Sequence, residues 1–384
     1  MIENPNHEYW MRKAILLAKE AWGNTHPNPM VGAILVNGEQ VLSQGVHEKA
    51  GCYHAERAAL MKIDLSPEEK KTATLYVTME PCCTHGRTPP CTEIIIEKGI
   101  RRVVIGASDP NPIHHHKGVA TLRAAGVEVI EGVLEKECTD LNLIFNHNMI
   151  HGAPFIALKS AMTLDGRTAT KDGHSQWITG EAARLDVMKW RAYFPAIAVG
   201  AGTAIADNPS LTARIPEKPE QCPVRLIFDR SLRTQELIDT LKVFNDDWAA
   251  KTILITDDRY SGSELQPYLD KGIEVCQLNY AQSNFPIDDF RTWCRERELW
   301  GIFVEGGQSL NSSLLNFRGA NYLFAYHAPK LFLSNSAPGF AELEGISFPS
   351  EAPYLENPMH EVFGDDSLTR GHLVYPERAT QADA

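Results

Sequence analysis

The sequence lacks the features that would assign it to a membrane or to nucleic acid. No window approaches the run of about 18 apolar residues that a membrane-spanning helix needs. The first ten residues, MIENPNHEYW, contain neither a basic segment nor an apolar run, so we expect no secretory signal peptide. Residues 1–150 hold 15 Lys and Arg against 18 Asp and Glu, and the remainder holds 22 against 31. This acidity argues against a nucleic-acid partner, because phosphate backbones are bound by a basic excess.

Cysteine is scarce, and one glycine-rich nucleotide-binding motif is absent. The chain has only 8 cysteines in 384 residues, which we interpret as reduced thiols of a cytoplasmic protein and not as a disulfide framework. The G-x-G-x-x-G fingerprint is missing, which argues against a standard Rossmann domain.

The length of the chain predicts two domains, because one hydrophobic core does not extend comfortably over so many residues. The segment NHNMIHGAPF interrupts an otherwise regular pattern and is the best boundary. We therefore predict domains at 1–149 and 150–375, followed by a disordered tail over 376–384.

Both predicted domains alternate strands with helices, which is typical of layered α/β folds. In the first, MVGAILV and QVLSQGV form a hairpin around Asn37-Gly38, and later strands alternate with helices of roughly ten residues. The second contains six apolar strands: PFIALKSAMTLDG, AIAVGAG, VRLIFD, KTILIT, IEVCQL and GIFVEGG. A late stretch, HEVFGDDSLTRGHLVY, could add edge strands.

The motifs GCYHAE and EPCCTHGRTPPC bring metal-ligand residues to the ends of predicted elements. His54 would begin a helix, Cys82 follows a strand, and Cys91 opens the next helix, where the helix dipole favours a thiolate. Three ligands with one open position are what a hydrolytic zinc needs. Glu56 could move a proton from water to a leaving amine. The pattern H-x-E…P-C…C is typical of zinc deaminases.

Two structural interpretations compete with this one. His54 and the cysteines could be inert core residues, although the joint pattern argues against it. A structural zinc would require a fourth protein ligand, for which Cys52 and Cys83 are the nearby candidates.

The second domain has two glycine turns after predicted strands, at Gly200 with Gly202 and at Gly306-Gly307. Thr203 and Ser309 follow them at predicted helix starts, where backbone N–H groups can hold a phosphate. Each turn alone is equally well explained by tight packing. Two at one sheet edge favour a ligand site.

Eight motifs occur in an order found in one family: HPNPMVGAILV, HEKAGCYHAE, EPCCTHGRTPPC, GASDPNP, LKSAMTLDGRTA, SQWITG, VGAGTAIADNPSLTAR and VEGGQSL. Through them the chain resembles the RibD family of bifunctional riboflavin-biosynthesis enzymes over roughly residues 8–335. The eight residues between Cys82 and Cys91 are more numerous than in cytidine deaminases, which also points to this family.

The resemblance implies an N-terminal cytidine-deaminase-like three-layer α/β domain and a C-terminal dihydrofolate-reductase-like α/β domain. It implies zinc-dependent deamination of 2,5-diamino-6-ribosylamino-4(3H)-pyrimidinone 5′-phosphate, followed by reduction of the ribosyl group to ribityl by NADPH. We expect one Zn²⁺ per chain, a phosphorylated small-molecule substrate, and a cytoplasmic homo-oligomer.

The resemblance also assigns roles to individual residues. Deaminase substrate contacts would be Asn28, Arg87, Asp109 and Asn111. Cofactor contacts would be Ala161, Trp177, Thr203, Asp207, Gly306 and Gly307. Reductase substrate contacts would be Ser175, Arg191, Leu211, Arg214 and Glu305. Lys159 and Asp165 are candidates to polarise the reacting ribose. The competing interpretations are turn formation for Asn28, Asp109 and Asn111, and a solvated strand end for Lys159.

The sequence departs from the family pattern at several positions. Thr84 stands where the family has a His, and His85 is shifted by one residue. Pro195 replaces an Asp, and ANYL replaces VDEL near residue 320; we expect both departures to lie near the sheet edge. The run His114–His116 tempts a second metal interpretation, but adjacent residues cannot all face one ion, so a solvated loop is preferred.

Two other classes of function remain open at this point. A nucleic-acid-editing or other nucleobase deaminase shares the zinc signature but predicts a basic face. A zinc-stapled binding module would need neither Glu56 nor the glycine turns.

Overall fold

A computed structural model of the protein describes residues 6–85, 89–216, 218–280, 285–343 and 345–376. The chain divides into two compact units, Met1–Ala153 and Pro154–Ala384. The sequence placed this division at 149–150, but helical structure continues to His151. Of the predicted tail, only Pro376 lies within the described residues. Across those residues, no helix is both long and apolar enough to cross a bilayer.

The first unit is built from seven helices and five strands over its described residues. The helices are α1 (His7–Ala18), α2 (Ala55–Leu60), α3 (Glu69–Thr72), α4 (Cys91–Glu97), α5 (Lys117–Ala124), α6 (Glu135–Asp140) and α7 (Leu143–His151). The strands are β1 (Gly32–Asn37), β2 (Gln40–Val46), β3 (Thr74–Met79), β4 (Arg102–Ala107) and β5 (Glu128–Ile130).

The strands of the first unit form one sheet in the order β2-β1-β3-β4-β5. β1 is antiparallel to β2 and to β3, whereas β3, β4 and β5 are parallel. The loops that follow β2, β3 and β4 and the loop that precedes β1 therefore meet at one edge. This edge carries the predicted zinc ligands and the predicted pocket residues Asn28, Asp109 and Asn111.

Helices cover both faces of this sheet. On one face, Leu35, Val77 and Ile105 pack in a cluster that includes residues of α2, α4 and α5. On the other face β1 lies so close to α1 that a side chain at Gly32 would stand 2.2 Å from the carbonyl oxygen of Ala14. The three-layer arrangement predicted from the resemblance is confirmed.

The second unit has six helices and nine strands over its described residues. The helices are α8 (Glu181–Tyr193), α9 (Ala201–Asp207), α10 (Lys242–Asn245), α11 (Gln266–Asp270), α12 (Ile287–Glu296) and α13 (Gln308–Asn316). The strands are β6 (Phe155–Thr163), β7 (Ala196–Gly200), β8 (Val224–Phe228), β9 (Thr252–Asp257), β10 (Glu274–Leu278), β11 (Gly301–Val304), β12 (Tyr322–Ala328), β13 (Tyr354–Phe363) and β14 (Asp366–Val374).

The sheet of the second unit has the order β10-β9-β8-β7-β11-β6-β12-β14-β13. Its first seven strands are parallel, and β14 and β13 close one side as an antiparallel hairpin. Apolar residues fill both faces of the parallel part, which explains why its strands read as continuous hydrophobic runs. The six predicted strands are all present, and the late stretch supplies the hairpin.

One expectation about the second sheet is wrong. The departure ANYL was expected near a sheet edge, but it leads into β12, which pairs with β6 on one side and β14 on the other. Asn321 there uses its side-chain oxygen to accept a hydrogen bond of 2.9 Å from the backbone N–H of Ile156. Pro195 likewise precedes β7, an interior strand. Both departures therefore bear on the interior of the sheet and not on its rim.

Candidate active sites

His54, Cys82 and Cys91 come together in the first unit as the sequence predicts. His54 caps α2, Cys82 follows β3, and Cys91 is the first residue of α4. His54 Nδ1 lies 3.5 Å from Cys82 Sγ and 3.4 Å from Cys91 Sγ. Among the described residues this is the one cluster of His, Cys, Asp or Glu with ligand atoms close enough to share a metal ion. One nitrogen and two sulfur donors fit a zinc ion with an open fourth position.

The neighbouring cysteines do not complete a four-ligand site. Cys83 points to the His114 ring, with Sγ 3.8 Å from Nδ1, and Cys52 is not part of the cluster. All eight cysteines lie within the described residues, and each is a free thiol. The interpretation as reduced thiols is thus consistent with the structure.

A hydrogen bond between the two cysteine ligands shifts their pKa values in opposite directions. The Cys91 thiol donates to Cys82, and this bond together with the His54 ring lowers the pKa of Cys82 to about 4. The pKa of Cys91 is correspondingly raised. A dication at this position would favour the thiolate form of both residues, because it stabilises both negative charges.

Glu56 lies beside the cluster without belonging to it. It is in the first turn of α2, and its side chain is only 3% exposed. Burial raises the pKa of Glu56 to about 7, and the negative charge of Cys82 adds to this rise. A buried carboxyl group that can hold or release a proton near neutral pH suits general acid–base chemistry.

His47, which the sequence did not single out, lies beside the predicted pocket residue Asn28. The buried ring has Nδ1 3.0 Å from the carbonyl oxygen of Tyr53, and since a carbonyl only accepts, Nδ1 carries the proton. Nε2 then accepts from Asn28 Nδ2 at 3.1 Å, which fixes the orientation of the Asn28 amide. Burial lowers the pKa of His47, which favours the neutral form of the ring. The motif HEKAGCYHAE begins at this residue and could have indicated it.

Asp109 and Asn111 form turns within the loop that follows β4. The carboxylate of Asp109 accepts from the Asn111 N–H at 2.8 Å, and the Asn111 side chain accepts from the Ile113 N–H at 3.0 Å. The turn-forming role considered in the sequence analysis is therefore present. A substrate contact by either residue stays a prediction.

Glu80, which the sequence analysis did not select, holds this loop against β3. Its buried carboxylate accepts hydrogen bonds from the backbone N–H groups of Asp109 at 3.2 Å, His116 at 3.0 Å and Val119 at 3.2 Å. One side chain thus ties the strand that leads to Cys82 to the start of α5. The position of Glu80 directly before Pro81-Cys82 could have indicated a role near the metal site.

The shifted histidine and the histidine run lie away from the cluster. The His85 side chain is 71% exposed, with Nε2 3.6 Å from a Glu93 carboxylate oxygen on the surface. The run His114–His116 occupies the turn before α5, and His115 and His116 are exposed. Arg87 lies outside the described residues.

Lys159, Arg191 and Glu305 meet in the second unit. Lys159 is on β6 and Glu305 directly follows β11, the strand beside it. The Glu305 carboxylate lies 3.4 Å from Lys159 Nζ, and 2.5 and 3.1 Å from two nitrogens of Arg191. Burial by itself raises the pKa of Glu305, but the positive charges of Arg191 and Lys159 outweigh it and hold the pKa at about 2.

Two helix starts lie beside this cluster. α9 follows β7 and α13 follows β11, and these two strands are neighbours. A side chain on Gly307 would stand 2.9 Å from Thr203 Oγ1, so glycine keeps open the space between the two helix starts. A Cβ atom on Gly306 would likewise stand 2.9 Å from the side-chain oxygen of Asn311. Backbone N–H groups in such a space fit a phosphorylated cofactor.

The other predicted reductase residues differ in their surroundings. Ser175 donates to Asp207 at 3.1 Å, which joins two predicted positions. Trp177 is 65% exposed, Arg214 is exposed, and Ala161 is half-buried on β6. Leu211 is buried, with a φ of 54°.

Asp165 is occupied by backbone and side-chain contacts. Its carboxylate accepts from Thr163 Oγ1 at 2.5 Å and from the N–H groups of Phe332 at 3.1 Å and Leu333 at 2.9 Å. The bond from Thr163 is the main reason that the pKa of Asp165 falls to about 2. These contacts show a role in holding the segment after β12, and the catalytic role stays a prediction.

Two family models match the chain. Residues 4–107 match the cytidine and deoxycytidylate deaminase zinc-binding region, and residues 154–367 match the RibD C-terminal domain. The riboflavin biosynthesis protein RibD of Actinobacillus pleuropneumoniae is 40% identical over 372 residues, which cover 96% of this chain and 95% of the relative. The chain belongs to the RibD family.

Other RibD proteins show the same similarity. The relative from Bacillus amyloliquefaciens is 40% identical over 91% of each chain. The solved RibD of Acinetobacter baumannii, form 1, is 32% identical, with a TM-score of 0.76 over 97% of this chain and 99% of that one. A diaminohydroxyphosphoribosylaminopyrimidine deaminase/5-amino-6-(5-phosphoribosylamino)uracil reductase from Thermotoga maritima is 35% identical, with a TM-score of 0.77 over 96% and 99%.

Membership of the RibD family confirms the predicted class of function. The chain is a bifunctional riboflavin-biosynthesis enzyme with a deaminase half and a reductase half, and it acts on a small pyrimidine. These halves imply zinc and a nicotinamide cofactor.

Proposed function

We propose that the first unit hydrolytically deaminates 2,5-diamino-6-ribosylamino-4(3H)-pyrimidinone 5′-phosphate, and that the second reduces the ribosyl group of the product to ribityl with NADPH. The observation that carries this proposal is the Cys₂His cluster with buried Glu56 beside it. It occurs in a chain that matches RibD proteins along nearly its whole length.

In the first unit, we assign one zinc ion to His54, Cys82 and Cys91. When bound, zinc supplies a water molecule whose pKa is lowered to near neutrality. Glu56 accepts the proton of that water and delivers it to the exocyclic nitrogen, so that a carbon–oxygen bond replaces a carbon–nitrogen bond and ammonia leaves. The position of Glu56, buried beside the three ligands without being one of them, supports this role.

Asn28 and Asp109 orient the pyrimidine in this proposal. His47 supports the role of Asn28, because it holds the amide in one orientation. Arg87 and Asn111 are assigned to the substrate by family resemblance. Arg87 would contact the phosphate, for which a planar guanidinium is suited.

In the second unit, NADPH supplies a hydride to the ribosyl carbon. The oxygen or nitrogen that loses a bond to that carbon must then be protonated. Lys159 is the proposed proton donor. Glu305 holds the Lys159 ammonium group in place. Arg214 is exposed and can meet the substrate phosphate, whereas Arg191 already pairs with Glu305.

The cofactor is assigned to the space between the starts of α9 and α13. The absence of a side chain at Gly306 and Gly307 supports this position. Thr203, Asp207, Ala161 and Trp177 complete the proposed contacts. The preference for NADPH over NADH follows from the family, as do the cytoplasmic location and the homo-oligomer, which stay predictions.

The proposal is tested by supplying the diaminopyrimidine substrate to the purified, zinc-loaded protein and following ammonia release and NADPH oxidation together. We expect ammonia first and NADPH oxidation after it, with one zinc per chain by metal analysis. Removal of zinc by a chelator should abolish ammonia release and leave NADPH oxidation with the deaminated pyrimidine unchanged. Absence of ammonia would refute the deaminase assignment. Absence of NADPH oxidation when the deaminated pyrimidine is supplied directly would refute the reductase assignment.

A further inference from the structure

The segment Ser175–Gly180, which leads into α8, has no helix or strand of its own. It carries two predicted site residues, Ser175 and Trp177. The Trp177 side chain is 65% exposed, although Ile178 and Thr179 behind it are buried. The conformation of this segment must therefore depend on contacts with other parts of the unit, because it forms no helix or strand of its own.

Lys330, two residues beyond the end of β12, holds the middle of this segment. Its Nζ donates to the carbonyl oxygen of Trp177 at 3.0 Å and to that of Ile178 at 2.6 Å. The backbone carbonyl of Lys330 itself accepts from the N–H of Leu164 at 2.9 Å, just after β6. The lysine is thus anchored to the sheet, and its charged end binds two consecutive carbonyl groups. Hydrogen bonds from a charged donor are the stronger kind.

Asp366, the first residue of β14, holds the end of the segment. Its buried side chain accepts a hydrogen bond of 2.6 Å from the N–H of Gly180, the residue that caps α8. A carboxylate at this place also faces the positive end of the helix dipole. The C-terminal hairpin thereby fixes where α8 starts.

Arg184, in the first turn of α8, covers one side of the Trp177 ring. Its guanidinium carbon lies 4.5 Å from the ring centroid, and one of its nitrogens donates to the carbonyl oxygen of Thr179 at 2.7 Å. A cation over an indole face is favourable. Since the ring remains 65% exposed, its accessible surface lies away from Arg184.

We infer that Lys330 and Asp366 are positioning residues for the reductase: they fix the backbone of residues 177–180, so that Trp177 stays stacked on Arg184 and presents its accessible face to the cofactor. This inference rests on the proposed function, in which Trp177 contacts NADPH. Neither residue lies within the motifs that carried the family resemblance. Both act through Trp177, so their effects should depend on its presence.

The test compares Lys330→Met with Lys251→Met in the full, zinc-loaded protein. Lys251 is a matched control, because it donates to the carbonyl oxygen of Cys222 at 2.8 Å and lies 5.0 Å from the Trp248 ring. It precedes β9 and is therefore at the opposite end of the parallel strands from the proposed site. NADPH oxidation is followed with the deaminated pyrimidine, and ammonia release from the other unit should not change in either variant.

We expect Lys330→Met to raise the KM for NADPH by about tenfold, as for the loss of bonds from a charged donor, with a smaller change in kcat. Lys251→Met should leave the KM unchanged, and Lys330→Arg should restore most of the affinity. In a Trp177→Ala background the effect of Lys330→Met on the KM should disappear. An unchanged KM, or an equal rise with and without Trp177, would overturn the inference.

Asp366→Asn provides a second route if Lys330→Met does not fold. The exposed neighbour Asp365 supplies the control variant Asp365→Asn. We expect a raised KM for NADPH only in the Asp366 variant, again dependent on Trp177; equal KM values would contradict the inference. If the wild-type protein does not oxidise NADPH with the deaminated pyrimidine, the proposed reductase function fails together with this inference. If the wild-type protein oxidises NADPH and the variants have the same KM as wild type, only this inference fails and the proposed function stands.

Discussion

Glu56 is buried and Glu305 nearly so, with its side chain 11% exposed, yet the pKa values of the two carboxyl groups shift in opposite directions. Burial raises the pKa of Glu56 to about 7, and the thiolate beside it adds to the rise. Burial acts on Glu305 in the same direction, but Arg191 and Lys159 overcome it and hold the pKa at about 2. The partner charges, and not the depth of burial, decide whether a buried carboxyl group exchanges protons or acts as a fixed anion.

The largest expected effect concerns Glu56. Glu56→Gln should reduce ammonia release by about 10²- to 10⁴-fold, because the amide cannot shuttle a proton. Metal analysis should show zinc retained, and NADPH oxidation with the deaminated pyrimidine should match wild type. Unchanged ammonia release would refute the role of Glu56.

The fixed anion should matter for stability as well as for activity. Glu305→Gln leaves Lys159 and Arg191 facing each other without their counter-ion, and breaking a buried pair of this kind destabilises a protein by about 3–5 kcal/mol. Urea unfolding of the second unit should show this loss, together with loss of NADPH oxidation. Asp288→Asn, which breaks the exposed pair with Arg291, is the control and should have little effect. Equal stability of the two variants would contradict the assignment of Glu305.

The lowered pKa of Glu305 also predicts a pH dependence. A carboxyl group whose pKa is lower in the folded state stabilises the fold above its unfolded pKa, here 4.5, and loses this contribution as the pH falls toward 2. Between pH 6 and pH 3 the wild-type protein should therefore lose about 2 kcal/mol that Glu305→Gln does not lose. Parallel urea titrations of both proteins at the two pH values measure this difference. Identical losses would show that Glu305 has an ordinary pKa.

The smallest expected effect concerns the pocket of the first unit. His47→Phe keeps a ring but removes the acceptor for the Asn28 amide, so the KM for the pyrimidine should rise about five- to tenfold, as for one lost hydrogen bond. Zinc content should not change. In an Asn28→Ala background the substitution should have almost no further effect. Additive effects would mean that His47 does not act through Asn28.

The sequence was most informative where a site is built from short motifs at strand ends. His54, Glu56, Cys82 and Cys91 could be assigned because two motifs contain them all, and parallel strands bring their ends to one edge. His47 and Glu80 were missed because their significance depends on partners elsewhere in the chain, Asn28 for one and three backbone N–H groups for the other. Hydrogen bonds of this kind leave no periodic pattern.

The second unit shows the same limit more strongly. Its six apolar strands could be predicted from the sequence. The order of the nine strands and the position of ANYL inside the sheet could not, because strand order is set by how helices cover the two faces. Asp165 shows the same limit for a side chain: its place after the first strand of this unit gave no sign that its carboxylate accepts from the N–H groups of Phe332 and Leu333.

The sequence by itself determined the two-part α/β organisation, the metal-ligand set and the family, since these depend on local order and spacing. Only the tertiary structure decided that Glu305 pairs with Lys159 and Arg191, and that Lys330 and Asp366 hold the segment of Trp177. Those partners come from distant parts of the chain, and their proximity depends on the register between neighbouring strands, which no single segment encodes.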